Sequence, residues 1–249
     1  MKVSLLGVKI DDITMDQAFE KVQDLLKSPG KHYIVTPNPE FLLAAQKDFE
    51  FKKLLNEADL AIPDGVGLKL SGKIENTVPG TDLMERLISL SCDKGLTVGL
   101  IGGQNGVAEK LKECLLKKYP KLKVVVADGD LEVNSLGEST YRSKNAQKTI
   151  SDVINSNQKG LDFLFVALGH IKQEKWISKN LPQLNVKVAM GVGGAFDYLS
   201  GSVPRAPLFI RNLGLEWLFR LIVQPWRIFR ILRLVKYIWL LIFNSKFKI

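Results

Sequence analysis

Residues 163–174 read Phe-Leu-Phe-Val-Ala-Leu-Gly-His-Ile-Lys-Gln-Glu, and this stretch decides the fold class. The apolar run Phe163–Leu168 predicts a strand that is covered on both faces of a sheet. Gly169 ends the run, and the polar segment that contains Gln173 and Glu174 follows it. A buried strand that leads through glycine into a polar segment is typical of a parallel sheet covered by helices.

Five further apolar runs repeat this arrangement: His32–Thr36, Leu60–Ile62, Thr97–Ile101, Val124–Ala127 and Val186–Met190. Most are followed by Gly, Pro, Asn or Asp and then by a helical pattern. The predicted helices are Phe41–Leu55, Gly106–Lys118 and Thr140–Asn157. We therefore expect an α/β fold: a mainly parallel, Rossmann-like sheet with helices on both faces.

Polar and glycine residues follow the predicted strands at the points where they end. They are Thr36 and Asn38, then Asp64, Gly102 and Gly103, Gln173, and Gly193 and Gly194. In sheets of this kind, ligands bind beyond the carboxyl ends of the strands. Glycine-rich loops there bring backbone N–H groups towards an anion, so a nucleotide or nucleotide sugar is the expected ligand.

Asp64 is the best single candidate for a base, because one carboxylate stands between Pro63 and Gly65 at a strand end. The turn at 101–107, IGGQNGV, resembles a dinucleotide fingerprint only weakly, since Ile101 takes the place of its first glycine. Asp128-Gly129-Asp130 has the D-x-D spacing of a metal-binding turn, although three residues are a poor motif and a solvated turn explains it better. No His or Cys cluster has metal-ligand spacing, and we predict neither a metal nor a cofactor.

The last 45 residues, 205–249, carry nearly all of the excess positive charge. They contain nine Lys and Arg against one acid, Glu216, a net charge of +8, whereas the whole chain carries +9. The same segment is rich in Trp, Phe, Leu and Ile. Basic and apolar residues together suit an anionic membrane surface.

From Trp226 onward the pattern predicts a basic amphipathic helix. Arg227, Arg230, Arg233 and Lys236 form one ridge, and the opposite side is apolar, with Ile228, Ile231, Leu232, Val235 and Trp239. The longest clean apolar run, 237–243, is short for a membrane span. We expect residues 205–249, the tail, to be a membrane-binding appendage on a catalytic domain of residues 1–204. Packing of this helix on the body or in a homo-oligomer is the alternative; nucleic acid binding would leave the apolar side unexplained.

Several ordered blocks together resemble the WecG/TagA/CpsF family of bacterial glycosyltransferases over essentially the whole chain. The blocks are T-P-N-P-E at 36–40, P-D-G at 63–65, K-Q-E-K-W-I at 172–177, GVGGAFDYLSGSVPRAP at 191–207, GLEWLFRL at 214–221 and QPWR at 224–227. The resemblance implies an inverting, metal-independent transfer of N-acetylmannosamine from UDP to N-acetylglucosaminyl-diphospho-undecaprenol. It also implies a cytoplasmic protein, peripherally associated with the inner face of the cell membrane, whose product feeds teichoic acid or another surface polysaccharide.

The resemblance also implies residue roles. Asp64 would remove the proton from the acceptor 4-hydroxyl, and Thr36 and Asn38 would position sugar hydroxyls. Gln173 would donate hydrogen bonds to sugar or phosphates. The expected partners of the diphosphate are tail arginines, whose planar forks bind phosphate in a bidentate way: Arg220, Arg227 and Arg230. The glycines Gly102, Gly103, Gly193 and Gly194 would let the backbone approach the nucleotide.

The chain departs from the family pattern at three places around the expected pocket. Thr77 stands where the family usually has Arg, Ile171 replaces a Pro, and Ala127–Leu131 replaces the usual turn. Other UDP-hexose donors, such as glucose or galactose, therefore remain alternatives. Two further hypotheses are a nucleotide-dependent oxidoreductase, which leaves the basic tail unexplained, and a non-catalytic membrane adaptor, which leaves the strand-end residues unexplained.

Overall fold

The strands and helices follow one another in the alternation that the sequence predicts. The computed structural model describes residues 1–127, 131–141, 154, 159–225 and 228–246. Within them the strands are β1 (Lys2–Leu5), β2 (Val8–Asp11), β3 (His32–Val35), β4 (Leu60–Ala61), β5 (Thr97–Gly102), β6 (Lys123–Ala127), β7 (Leu131–Val133), β8 (Ser139–Tyr141), β9 (Leu161–Ala167) and β10 (Val186–Gly191). The α-helices are α1 (Met15–Lys27), α2 (Pro39–Ala45), α3 (Phe49–Glu57), α4 (Gly80–Lys94), α5 (Val107–Lys118), α6 (Lys172–Asn180), α7 (Ala195–Leu199), α8 (Leu208–Asn212), α9 (Glu216–Val223) and α10 (Ile228–Lys246). Short 3₁₀ helices span Val66–Ser71 and Leu181–Gln183.

All six predicted strands lie in one sheet, in the order β4-β3-β10-β9-β5-β6. Every pairing in this sheet is parallel. The parallel α/β prediction is therefore confirmed. Because the strands run in one direction, their carboxyl ends share one edge, and the polar residues that follow them meet there.

Helices cover both faces of the sheet, as the side chains of β9 show. Phe163 and Phe165 enter a core built with α1, α4 and α5. Leu164 and Val166 alternate with them and pack into a second core, together with Trp176 of α6. The continuous apolar run in β9 thus results from burial on both sides.

Two of the three predicted helices differ from the structure. Residues 41–55 form parts of α2 and α3, because Asp48 caps a new helix by accepting a hydrogen bond from the Phe51 N–H at 2.9 Å. The predicted helix Thr140–Asn157 is wrong at its first residues, which belong to β8 in a hairpin with β7. Most of its remainder lies outside the described residues. The predicted helix Gly106–Lys118 is confirmed as α5, which begins at Val107.

The tail helix α10 packs on the body through a face that the sequence analysis did not assign. Tyr237 is fully buried against the layer that contains Phe41 of α2, with Leu234 and Leu241 beside it. Arg233 adds an ion pair to Glu40 at 3.4 Å. Trp239, with Val235, lies on an exposed side of α10. Membrane binding by that side, and the division into two domains at residue 204, stay predictions.

A membrane-spanning helix needs about 20 mostly apolar residues. None of the described helices is long and apolar enough to cross a bilayer.

Candidate active site

The residues predicted from the strand ends lie along the carboxyl edge of the sheet. Asp64 follows β4 and Thr36 follows β3, at one end of the strand order. Gly193 follows β10, Gln173 lies in the first turn of α6 after β9, and Gly102 ends β5. The edge therefore carries a carboxylate at one end and glycine turns from its centre onward.

Asp64 is held by its backbone and by the start of α4. Its N–H donates to the Pro37 carbonyl at 2.9 Å, while the Val78 N–H donates to the Pro63 carbonyl at 2.7 Å. The Asp64 carboxylate accepts a hydrogen bond from the Gly80 N–H, the first residue of α4. The loop is thus fixed on both sides, and the carboxylate lies at the positive end of a helix dipole.

Burial raises the pKa of Asp64 from 3.8 to about 6. The neighbouring carboxylates of Glu216 and Asp82 raise this pKa further, whereas the Arg220 charge and the Gly80 hydrogen bond lower it. The residue as a whole keeps partial solvent exposure. A carboxylate with a pKa just below neutrality, reachable from solvent, fits the requirements of a general base.

Arg220 of α9 is the predicted tail arginine that the structure places near Asp64. Its guanidinium is hydrogen-bonded to Glu216 and lies over the ring of Tyr198, 4.5 Å from the ring centroid. Arg227 lies outside the described residues. Arg230 is in α10, and its side chain is not among those described. The tail therefore contributes at least one cation to the edge of the sheet that holds the base.

Thr36 and Asn38 lie on the loop from β3 to α2. Thr36 is buried, and its methyl group packs against Gly80. The Asn38 side-chain oxygen caps α2 by accepting hydrogen bonds from the N–H groups of Glu40, at 2.9 Å, and Phe41, at 3.0 Å. Because that oxygen is committed to the cap, the amide Nδ2 is the group with which Asn38 would contact a sugar.

Gln173 joins the loop after β10 to the start of α6. Its Oε1 accepts from the Gly193 N–H at 3.0 Å, and its Nε2 donates to Glu174 Oε1 at 2.6 Å. Glu174 also accepts from the Ile171 N–H at 2.7 Å, and burial raises the Glu174 pKa to about 7. Both side chains are almost fully buried. Gln173 thus holds the glycine loop in position, and its predicted bond to a ligand would add to this role.

The four predicted glycines differ in their surroundings. At Gly102 (φ +87°) a Cβ atom would lie 2.6 Å from the Ala167 carbonyl oxygen, so packing against β9 alone requires glycine there. The next residue, Gly103, also has positive φ and donates its N–H to that carbonyl at 2.9 Å. Gly193 (φ +51°) faces open space, and Gly194 is the N-cap residue of α7. The open side of Gly193 is the better place for a nucleotide to approach.

Sequence reasoning missed a second charged cluster beside Asp64, the Asp82 cluster, which consists of Asp82, Arg205 and Arg211. Arg205 Nη1 lies 2.7 Å from Asp82 Oδ1, and Arg211 Nη1 lies 3.2 Å from the same oxygen. The arginines come from the segment before α8 and from α8 itself, more than 120 residues after Asp82. The motif G-S-V-P-R-A-P was the available signal, but it did not identify the partner.

A metal site needs several His, Cys, Asp or Glu side chains close together. No three His, Cys, Asp or Glu side chains in the described ranges stand close enough to hold a metal ion. Asp128-Gly129-Asp130 lies outside those ranges, so metal independence stays a prediction.

Comparison with known proteins identifies the family of this strand-end site. The model of the "Glycosyl transferase WecG/TagA/CpsF family" matches residues 3–248. A Staphylococcus aureus (strain MRSA252) protein is 30% identical over 237 residues, covering 92% of this chain and 88% of that protein. A second, from S. aureus strain NCTC 8325 / PS 47, is 29% identical over the same shares. Both are named N-acetylglucosaminyldiphosphoundecaprenol N-acetyl-beta-D-mannosaminyltransferase.

The fold is that of an α/β protein with a carboxylate at the carboxyl edge of its parallel sheet. The chain belongs to the WecG/TagA/CpsF family of glycosyltransferases, because that family's model matches almost its entire length.

Proposed function

We propose that this protein is an inverting hexosyltransferase that uses a UDP-sugar donor and an acceptor linked to a polyprenyl diphosphate. The leading donor is UDP-N-acetylmannosamine and the leading acceptor is N-acetylglucosaminyl-diphospho-undecaprenol, in the synthesis of teichoic acid or another surface polysaccharide. The names of the two relatives support this choice. The single observation that carries the proposal is Asp64, a partly exposed carboxylate at a strand end, with a raised pKa and an arginine of the tail beside it.

In the proposed reaction Asp64 is the general base. It takes the proton of the acceptor 4-hydroxyl while that oxygen forms a bond to the donor anomeric carbon. The bond from that carbon to the UDP oxygen breaks at the same time, and UDP leaves with the electron pair. Attack from the face opposite to UDP inverts the anomeric centre. General base catalysis contributes about 10²–10⁴ in rate.

Cations of the tail would stabilise the charge that develops on the UDP diphosphate. Arg220 is the best placed of them, because its charge already acts on Asp64 and its guanidinium is oriented by Glu216 and Tyr198. Arg227 and Arg230 are proposed for the same role from their sequence positions. The glycine loop at Gly193 would receive the nucleotide. Gln173 would hold this loop in position by accepting the hydrogen bond from the Gly193 N–H.

The tail would also dock the enzyme on the cytoplasmic face of the membrane. The exposed apolar residues Phe209, Trp217, Ile222 and Trp239 lie on α8, α9 and α10, in a segment of net charge +8. Apolar and basic side chains on short helices suit an anionic bilayer surface. Docking there would bring the lipid-linked acceptor to the same segment that carries Arg220.

The test of the reaction is UDP release with a detergent-solubilised N-acetylglucosaminyl-diphospho-lipid. A panel of UDP-hexoses is offered with EDTA or with Mg²⁺. Release that requires the acceptor, occurs with one donor and survives EDTA supports the proposal. Release from UDP-glucose or UDP-galactose alone would identify a different donor, and no release with any donor would contradict it.

Membrane docking is tested by co-sedimentation with anionic vesicles. The variant Trp239→Ser changes an exposed side chain, and Phe49→Ser, an equally apolar exposed residue on α3, is its control. We expect weaker binding for Trp239→Ser and unchanged binding for Phe49→Ser. Equal binding by both variants and the wild type would contradict a role for this side of α10.

A further inference from the structure

The Asp82 cluster contains most of the unsatisfied buried polar atoms of the described part of the chain. In the described residues, four buried side-chain nitrogen or oxygen atoms have no hydrogen-bond partner: Arg205 Nε, Arg205 Nη2, Arg211 Nε and Tyr237 Oη. Three of the four belong to the two arginines that meet at Asp82. A buried N–H group without an acceptor is costly, and more so on a charged group.

The cluster lies directly beside the proposed base. Asp82 is in the first turn of α4, and the Gly80 N–H of that same turn donates to Asp64. The side chains of Arg205 and Arg211 are 15% and 24% exposed, so both guanidinium groups are largely withdrawn from water. Two cations with unpaired N–H donors therefore meet at Asp82, two residues along α4 from the Gly80 N–H that donates to Asp64.

The single carboxylate of Asp82 offers too few acceptor oxygens and too little charge for these two arginines. Each guanidinium has five N–H donors in a planar fork, yet both arginines reach Asp82 through one Nη1 on the same Oδ1 oxygen. Two positive charges share one negative charge. A diphosphate offers more acceptor oxygens and more charge, and arginine forks bind such oxygens in pairs.

We propose that Arg205 and Arg211 bind the diphosphate of a substrate, and that Asp82 is the internal anion that competes for them. The inference rests on the proposed function, in which the donor and the acceptor both carry a diphosphate. The recognised chemistry is the same in either case. If these ion pairs only held the tail on α4, the cluster would have no affinity for phosphate.

The first measurement is the dissociation constant of inorganic pyrophosphate for the full-length protein, by titration calorimetry. Arg205→Lys and Arg211→Lys keep the charge and remove the fork. The matched control is Arg86→Lys: Arg86 lies one turn further along α4, where it pairs with Asp16 at 2.7 Å and covers the Phe19 ring. We expect each cluster variant to bind about tenfold more weakly and Arg86→Lys to bind like the wild type.

Asp82→Asn tests the competition directly. Removal of the internal anion should tighten pyrophosphate binding, whereas a carboxylate that only orients the arginines would weaken it when removed. Thermal unfolding of each variant shows whether it is folded at the titration temperature. No pyrophosphate binding by the wild type, or equal dissociation constants for the wild type, Arg205→Lys and Arg211→Lys, would overturn the proposal.

Steady-state kinetics distinguish the two sources of the diphosphate. A rise of KM for the UDP-sugar in Arg205→Lys and Arg211→Lys assigns the cluster to the donor, and a rise of KM for the lipid-linked acceptor assigns it to the acceptor. Both KM values unchanged would contradict either assignment. If no donor and acceptor pair turns over, the proposed function fails while the pyrophosphate titration still decides this inference.

Discussion

Asp64→Asn is expected to stabilise the folded protein at neutral pH while it removes the proposed base. The folded pKa of Asp64 is raised from 3.8 to about 6, because burial penalises its charge. Below pH 3.8 the carboxyl is protonated in the folded and in the unfolded state, and it does not change the free energy of unfolding. As the pH rises to about 6 the unfolded chain loses this proton more readily, so the free energy of unfolding falls.

The size of the effect follows from the pKa shift. A shift of one pH unit corresponds to about 1.4 kcal/mol, and the shift of Asp64 is about two units. Because Asp64 keeps partial exposure, solvent screening reduces the energy that this shift would otherwise give. We expect Asp64→Asn to raise the free energy of unfolding by about 1–2 kcal/mol at pH 7.5. Asparagine has nearly the same shape, and its oxygen can still accept the Gly80 N–H.

The assay is equilibrium urea unfolding of full-length protein in mild detergent, at pH 7.5 and at pH 4.5. At the lower pH the gain should shrink to about a third, because pH 4.5 lies near the start of the range from 3.8 to about 6 in which the unfolded chain, but not the folded one, loses the proton. Asp93→Asn, an exposed aspartate on the same helix α4, is the control and should stay within about 0.5 kcal/mol at both pH values. A variant Asp64→Asn that is less stable than the wild type at pH 7.5 would refute the reasoning.

Three further predictions concern the base, the tail and the glycine turns. Arg220→Gln should move the acid limb of the pH–rate profile above pH 6, since the Arg220 charge lowers the Asp64 pKa; an unmoved limb would contradict this. Tyr237→Phe should leave the free energy of unfolding unchanged or raise it by about 1 kcal/mol, because the buried hydroxyl has no hydrogen-bond partner. Tyr237→Ala should lower it by about 3–5 kcal/mol, and a similar loss in both variants would show that the hydroxyl is bonded. Gly193→Ala should lower the free energy of unfolding by about 1–2 kcal/mol, because alanine is strained at positive φ. Gly102→Ala should lower it more, because the added Cβ would also meet the Ala167 carbonyl oxygen. Equal losses in thermal unfolding of the two variants would contradict the packing argument.

The sheet was predictable because its strands are buried on both faces. Continuous apolar runs such as Phe163–Leu168 have no helical or alternating period, and glycine or proline marks their ends. The N-terminal hairpin of β1 and β2 was not predicted, although Leu6-Gly7 separates two short strands and both residues have positive φ. The break at Asp48 was missed because the apolar pattern continues across it, and only the capping aspartate marked a new helix.

The site was predictable where its residues follow strands, and not where it depends on long-range packing. A parallel sheet brings Thr36, Asp64 and Gly193 to one edge whatever the details of the loops. The meeting of Asp82 with Arg205 and Arg211 depends on how the tail folds back, which charge counts in a segment do not specify. Likewise the spacing of α10 showed an apolar side at Trp239 but did not show that Tyr237 would be buried on the body.

The central claim is that Asp64 is the general base of glycosyl transfer. It is tested most directly by the pH dependence of kcat/KM for acceptor-dependent UDP release by the wild type and by Asp64→Asn. We expect a wild-type acid limb near pH 6, and for the variant a rate about 10²–10⁴ lower without that limb. An Asp64→Asn enzyme that keeps the wild-type rate, or the same limb near pH 6, would contradict the account.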